Sequence, residues 1–339
     1  MINSNFGFTP LKEVWLGDCY PASWYDHLPN EIADPFRQIT EWTKQDTEKL
    51  QKFLEARGVV VKRPVFDSIT NYLDNNDNLV KPPICPRDDY LVLDKTLYSL
   101  HNKLEKDPWK HCMDEYKNLG YDVQEPMHQP INCVFPPSVV RIGKDLFVDR
   151  FTHEHVWGFL CNWCVETARN YRVNICETNG HSDGVFCPVT PGVLVSSYHK
   201  TNYDQSFPGW DVFHIPENLH NFYFNMKQWK TSSDTINNNK SFADHVVKLA
   251  SDWVGDYRET VFEVNMLVLD EKNVVAMKEY PPLIKWLEDK GITVHHFDLR
   301  TRSFWDGGWH CLTLDIERDD SKIDLFPTRG DNGVYWKIN

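Results

Sequence analysis

The sequence predicts an α/β protein made of several similar units closed around a centre, in preference to one doubly wound sheet. Three observations lead there. Patterns of strand, helix and paired strands recur roughly every 50–70 residues. No G-x-G-x-x-G or G-x-x-x-x-G-K-[ST] turn follows a strand, so a nucleotide cradle has no support. No Pro-, Gly- or Ser-rich linker divides the chain, and residues 1–339 read as a single domain.

The first unit opens with the alternating run Leu11-Lys-Glu-Val-Trp-Leu-Gly17, a strand. From Pro35 to Gly58, Phe36, Ile39, Trp42, Leu50, Phe53 and Leu54 recur at helical spacing, and Gly58 stops the helix. Val59-Val-Val-Lys-Arg-Pro64 then reads as a buried strand running into a proline. The Asn/Asp-rich residues 68–83 form a loop, and Tyr90–Leu93 a short strand after Pro86-Arg87-Asp88-Asp89.

Residues 98–118 read as a polar outer helix. Val139–Val148 reads as two strands around a turn at Gly143-Lys144. Val156, Phe159, Leu160, Trp163 and Ala168 mark a helix over 154–171, followed by the strand Arg172–Cys176. Val185–Val189 and Val193–Ser196 flank the turn Thr190-Pro-Gly192, and residues 231–241 are a surface loop. Phe262–Leu269, a turn at Asp270–Asn273, Val274–Ala276, a helix over 281–290 stopped by Gly291, and the strand Thr293–Phe297 complete the pattern.

Composition narrows the function. Hydrophobic content of 41% with 25% charged residues is ordinary for a globular protein that buries a core. A net charge of −13 without basic patches argues against nucleic acid and against an anionic membrane surface. The 13 tryptophans and 19 phenylalanines suggest aromatic-walled surfaces or pockets. Nine scattered cysteines suit a reducing compartment better than a disulfide framework. The first residues carry no basic, apolar or Arg-rich leader pattern, and no apolar run approaches the ~20 residues of a membrane span. A soluble, cytoplasmic protein is expected. A homodimer is admitted by the sequence but not specified by it.

The chemistry gathers around Phe304-Trp-Asp-Gly-Gly-Trp-His-Cys-Leu-Thr313. Gly307 and Gly308 permit unusual backbone conformations and close approach of a ligand, and the alternation Leu312–Ile316 reads as a strand. Cys311 would thus sit where a glycine-rich loop enters a sheet. A buried hydrophobe is the ordinary alternative for a free cysteine. In Asn179-Gly-His-Ser-Asp183, His181 and Asp183 lie two apart, so an extended backbone would turn both to one face. Such a histidine can serve a thiol as base and a leaving amine as acid. A loop histidine beside a turn-forming aspartate is the plain alternative.

Pro86-Arg87-Asp88-Asp89 can present a carboxylate to a cation, or be a solvated turn. Glu263-Val-Asn265 puts polar side chains on an apolar strand, where a substrate or an ordinary buried hydrogen bond would satisfy them. Cys161-Asn-Trp-Cys164 has no second pair and no spaced histidines for zinc, and His153-Glu-His155 is not a zinc helix motif. His295 and His296 look like strand residues. Neither a metal nor a cofactor is expected.

These pieces resemble the glycine amidinotransferases. The likeness is carried by Asn265–Val274, Trp286–Val294 and Asp306-Gly-Gly-Trp-His-Cys-Leu-Thr-Leu-Asp315. Gly180-His-Ser-Asp183 with Pro191-Gly192, Arg87-Asp88, Pro10–Gly17 and Gly58–Pro64 extend it almost end to end. The resemblance implies a five-bladed α/β propeller with pseudo-fivefold modules around a polar channel. It implies that Cys311 attacks the guanidino carbon of L-arginine, that His181 moves protons, and that Asp88 and Asp183 bind the guanidinium. Arg87, Asn265 and Gly180 belong to the matched motifs, and Lys200 stands where the family has a basic residue for carboxylate recognition. Glycine is the default acceptor amine; the alternatives are a guanidino-group hydrolase, in which water resolves the intermediate to citrulline, and a non-catalytic arginine-binding homologue.

One position departs from the family. Where an acidic residue orients the histidine, this chain has Ser138, and the neighbouring acidic position is Phe135. A serine can hydrogen-bond imidazole but cannot stabilise imidazolium by charge, and Glu177 or Asp149 are the acidic candidates to substitute. The segment between Asp88 and Ser138 is also shorter than in vertebrate-type members.

Overall fold

The computed structural model describes residues 1–99, 107–124, 135–149, 162–178, 181–197, 203–216, 239–250, 253, 263–277 and 280–338. Strand β1 (Leu11–Leu16) is followed by helix α1 (Asn30–Glu55) and by β2 (Val60–Lys62), which pairs in parallel with β1. The second sheet contains β3 (Tyr90–Leu93), β4 (Thr96–Ser99) and β5 (Asp122–Gln124). The third contains β6 (Val139–Ile142), β7 (Asp145–Asp149) and β8 (Arg172–Cys176). The fourth contains β9 (Phe186–Thr190), β10 (Val193–Ser196) and β11 (Asp211–His214). The fifth contains β12 (Leu267–Asp270), β13 (Asn273–Ala276) and β14 (Thr293–His296).

β15 (Thr313–Arg318) then returns to pair antiparallel with β1, completing the first sheet with the far end of the chain. β16 (Gly333–Ile338) adds in parallel to β8. Each of the five sheets obeys one rule, an antiparallel pair followed by a parallel strand. In the second to fifth sheets a two-residue turn suffices for the antiparallel step, whereas the parallel step needs a longer crossover. The repeating order seen in the sequence is this rule, and the architecture is a five-bladed α/β propeller.

Helices cover the blades because one face of each is apolar. On α1, Ala33, Phe36, Ile39, Leu50 and Leu54 are buried at helical spacing. Phe36 meets Phe242 of the helix Lys240–Leu249 edge-on, with ring centroids 4.8 Å apart. Among the described residues no helix is long and apolar enough to cross a membrane.

Several local expectations are corrected. α1 begins at Asn30, five residues before Pro35, so the proline lies inside the helix, in its second turn, and leaves the Glu31 carbonyl without its i+4 donor. The expected buried strand after it is short and half-exposed, because β2 lies at a sheet edge. The expected helix over 98–118 is split. Residues 98–99 end β4, paired with β3, and the helix runs only from Lys110 to Asn118. The start of the expected helix over 154–171 lies outside the described residues, and Asn162–Thr167 is helical.

Trp15, Trp109, Trp305 and Trp309 are fully buried rather than lining open surfaces. Trp15 and Trp109 stack at 4.5 Å, and Trp15 donates to Tyr116, which donates to Glu13. Trp15 and Trp109 belong to one buried apolar cluster, and Trp305 and Trp309 to another.

Candidate active site

The fivefold rule brings distant residues together. Just ahead of the first strand of each blade stands one short polar segment. Asp88 precedes β3, Ser138 precedes β6, His181 and Asp183 precede β9, Asn265 precedes β12, and Cys311 precedes β15. Equivalent positions in a closed propeller face the same end of its axis, so five segments from five blades converge.

Cys311 is buried, at 6% exposure, and its thiol is held rather than loose. Asn265 Nδ2 donates to Cys311 Sγ at 2.8 Å, and Cys311 N donates back to Asn265 Oδ1 at 3.1 Å. The flanking glycines make room for this. A Cβ on Gly308 would lie 2.6 Å from Asn265 Oδ1, and one on Gly307 would lie 3.1 Å from Cys85 Sγ and 3.3 Å from Cys311 Cβ. The left-handed residue of the loop is not a glycine but Asp306, at φ 49°. The expectation that the glycines supply unusual backbone angles is thus replaced by one of close packing.

The loop is anchored from behind. Trp305 Nε1 donates to Thr43 of α1 at 2.9 Å, and Arg300 grips the buried Asp46 of the same helix. Arg87 Nε donates to the carbonyls of His310 and Thr313, both at 3.0 Å, while its Nη2 lies 2.6 Å from Asp315. Arg87 was expected at a substrate. It is 7% exposed, and these three contacts turn its guanidinium inward to the nucleophile loop.

Asp315 is the hub beneath the site. It receives Arg87, Arg141 at 2.6 Å, Arg318 at 2.8 Å and the Ser4 hydroxyl at 2.9 Å. Burial alone would raise its carboxyl, but Arg141, Arg87 and Arg318 outweigh burial and hold it well below the usual carboxylate range.

Asp88 lies on the one-turn helix Pro86–Asp89, whose N-cap is Cys85, rather than on a strand edge. Gly17 lets this segment approach β1, since a Cβ there would lie 1.9 Å from Ile84 O. Partial burial raises the Asp88 carboxyl, against the charges of Lys81 and His181. Lys81 Nζ stands 4.0 Å from Asp88 Oδ2. His181 and Asp183 do not lie on an extended backbone. Ser182–Gly184 is a 3-10 turn with His181 at its N-cap, which brings His181 Nδ1 to 3.9 Å from Asp183 Oδ1. Asp183 is 4% exposed, and its other oxygen lies 3.3 Å from His310 Nδ1.

Ser138 is fully buried, and its hydroxyl donates to Phe135 O at 2.5 Å. It is Phe135 whose ring stands edge-on to His181, with centroids 5.2 Å apart. Asp149 accepts from the amide and hydroxyl of Thr178, at 2.6 and 2.7 Å, and Thr178 contacts Ser182 at 2.9 Å, so Asp149 braces the turn that carries His181. Gly180, Lys200, the His153–His155 pair and Cys161 lie outside the described residues. Cys164 is buried in an apolar cluster, and His295 and His296 lie on β14.

Electrostatics join these groups. Burial raises the Cys311 thiol, the charges of Asp183 and Asp88 raise it further, and the Asn265 bond only partly offsets them. The resting sulfur is therefore a thiol, within the field of two carboxylates. His310 escaped the sequence reading as a site residue. Its position beside the cysteine was the available signal, but nothing in the sequence pointed it at Asp183.

No family model matches this chain. It is 22% identical to the L-arginine:L-lysine amidinotransferase of Pseudomonas savastanoi pv. phaseolicola, over 88% of this chain and 85% of that protein. It is 23% identical to the mitochondrial glycine amidinotransferase of Gallus gallus, over 89% of this chain and 72% of that protein. The chain is thus similar to amidinotransferases. The fold agrees. The solved amidinotransferase SxtG of Microseira wollei superimposes with a TM-score of 0.66 at 19% identity, covering 96% of this chain and 99% of that one. The candidate nucleophile, acids and histidines stand at the blade starts that converge on one end of the propeller.

Proposed function

We propose that the protein moves the amidino group of L-arginine through Cys311 to an acceptor amine, with glycine as the default acceptor. The observation that carries this is the buried thiol raised by Asp183 and Asp88 and tethered to Asn265. A guanidinium is a planar cation able to pair with both carboxylates. Binding it cancels the two charges that suppress ionisation, so the thiolate forms when the electrophile is in place.

In this reading the Cys311 sulfur adds to the guanidino carbon, and the thiol proton passes to His181. The tetrahedral adduct breaks its C–N bond as His181 returns that proton to the departing amine, releasing ornithine and leaving an amidino-thioether. The acceptor amine then attacks the same carbon, giving its proton to His181. The C–S bond breaks, and the sulfur is reprotonated. Arg87 holds the loop, Asn265 fixes the sulfur, and Ser138 with Phe135 supports the histidine. Lys200 is the proposed contact for a substrate carboxylate and Gly180 shapes the histidine turn. The amidinotransferase relatives support the reaction type, while the acceptors in their names differ.

The test is intact mass after mixing with arginine, combined with product analysis. An amidino adduct absent from Cys311→Ser, with ornithine and guanidinoacetate formed when glycine is present, supports the reading. Citrulline and ammonia would make the protein a hydrolase. Neither adduct nor turnover would overturn it.

A further inference from the structure

Asp183 is unusual among the charged groups of this protein. Its side chain is 3% exposed, yet neither carboxylate oxygen takes a well-formed hydrogen bond from a described residue. A buried carboxylate without donors is costly. Its nearest cation-forming neighbours are two rings, His181 Nδ1 at 3.9 Å from Oδ1 and His310 Nδ1 at 3.3 Å from Oδ2. Asp183 and His310 also border a cavity of about 30 Å³, shared with Arg87, Arg141 and Cys187. The carboxylate therefore has space to turn when a ligand arrives.

His310 is placed by its main chain, not by its ring. Its carbonyl accepts from Arg87, from Thr313 N at 3.2 Å and from the Thr313 hydroxyl at 3.3 Å, and its N–H donates to Asn265 O at 3.4 Å. The ring is thus aimed by the same backbone that sets Cys311, one residue on. Burial and then Arg87 lower the His310 pKa, against Asp183 and Asp315, so the ring is neutral and carries one N–H.

We propose that His310 is a positioning residue for the donor: its Nδ1–H orients the Asp183 carboxylate, so the nucleophile's own loop sets one jaw of the guanidinium clamp. This rests on the reading of Asp183 as a guanidinium ligand. Through His310, the angle of that jaw and the position of the sulfur are fixed by one loop, and neither can drift without the other.

The test measures L-arginine binding by calorimetry to the full chain in a Cys311→Ser background, where no turnover intrudes. His310→Asn keeps an amide N–H near the place of Nδ1, whereas His310→Gln carries it out to the place of Nε2. The expected results are a Kd within about three-fold of the parent for Asn, and a Kd raised at least about ten-fold for Gln and for Leu. Because His310 acts through Asp183, adding His310→Leu to Asp183→Asn should cost no further affinity. Equal affinities for Asn and Gln, or losses that add in the double variant, would overturn the role of His310. If Asp183→Asn itself binds arginine normally, the clamp reading fails instead, which keeps the two failures distinct.

Discussion

Asn265 and Cys311 form a reciprocal pair: the amide N–H of one meets the sulfur of the other at 2.8 Å, and the cysteine N–H returns to the amide oxygen at 3.1 Å. Strands β12 and β15, which follow these residues, lie in different blades, so the pair also locks two blades together at the site. A hydrogen bond to a charged group is worth about 1.5–3 kcal/mol. Asn265→Ala should therefore slow alkylation of Cys311 by iodoacetamide about ten-fold or more at fixed pH. Unchanged alkylation would show that the bond does not tune the sulfur.

Asp88 bears on the same sulfur with the opposite sign. Burial and the charges of Asp183 and Asp88 hold the thiol above its ordinary range. In Asp88→Asn one negative charge is gone, so the alkylation profile should move to lower pH by on the order of one unit. Arginine turnover should fall in the same variant, because the clamp has lost a carboxylate. A sulfur that becomes more reactive while the enzyme becomes less active is the expected signature, and a profile moved upward would contradict it.

Gly308 and Gly307 separate packing from catalysis. Alanine at 308 places its Cβ within 2.7 Å of three Asn265 side-chain atoms, so Asn265 must leave Cys311. Alanine at 307 meets Cys85, Cys311 and Leu312 at 3.1–3.3 Å, a milder squeeze. Gly308→Ala should lose activity as severely as Asn265→Ala and lower stability by about 1–3 kcal/mol, with Gly307→Ala the lesser of the two. Thermal denaturation and steady-state rates, read side by side, check the ranking.

Asp315 makes the fold sensitive to acid. Its carboxyl is depressed in the native state by Arg141, Arg87 and Arg318, which overcome burial. A depressed carboxyl contributes stability that is complete above its unfolded value, about pH 3.9, and lost as pH falls through the folded one. Asp315→Asn strands three buried guanidinium groups and should cost about 3–5 kcal/mol at neutral pH. Its destabilisation relative to the parent should shrink as the solution is acidified below about pH 4. A constant difference across that range would mean that the hub is not ionised.

Much of this site was legible before any coordinates, because the signals were local. Cys311 after two glycines, His181 two residues before Asp183, and Arg87-Asp88 after a proline are short patterns in which chemistry and turn formation coincide. Their resemblance to one family joined them into a single proposal. Arg87 was misread for the same reason: a motif names a residue type, while the direction of its guanidinium depends on Asp315, which lies far along the chain. Ser138 was read as a partner for His181, while the edge-on contact of Phe135 with that ring, set by the 3-10 turn at residues 136–138, was not foreseen.

By itself, the sequence determined the alternation of strands and helices, the burial of their apolar faces and the short turns that carry the polar residues. All of these depend on side chains within a few positions of one another. Only the tertiary structure decided that the strand after Cys311 pairs with the first strand of the chain, that three arginines converge on Asp315, and that His310 faces Asp183. Apart from Arg318, three positions from Asp315, those relationships join residues separated by more than a hundred positions. They exist because closing the ring of blades brings chemically unrelated segments to the same axis, and periodicity within a segment carries no record of which distant segment will meet it.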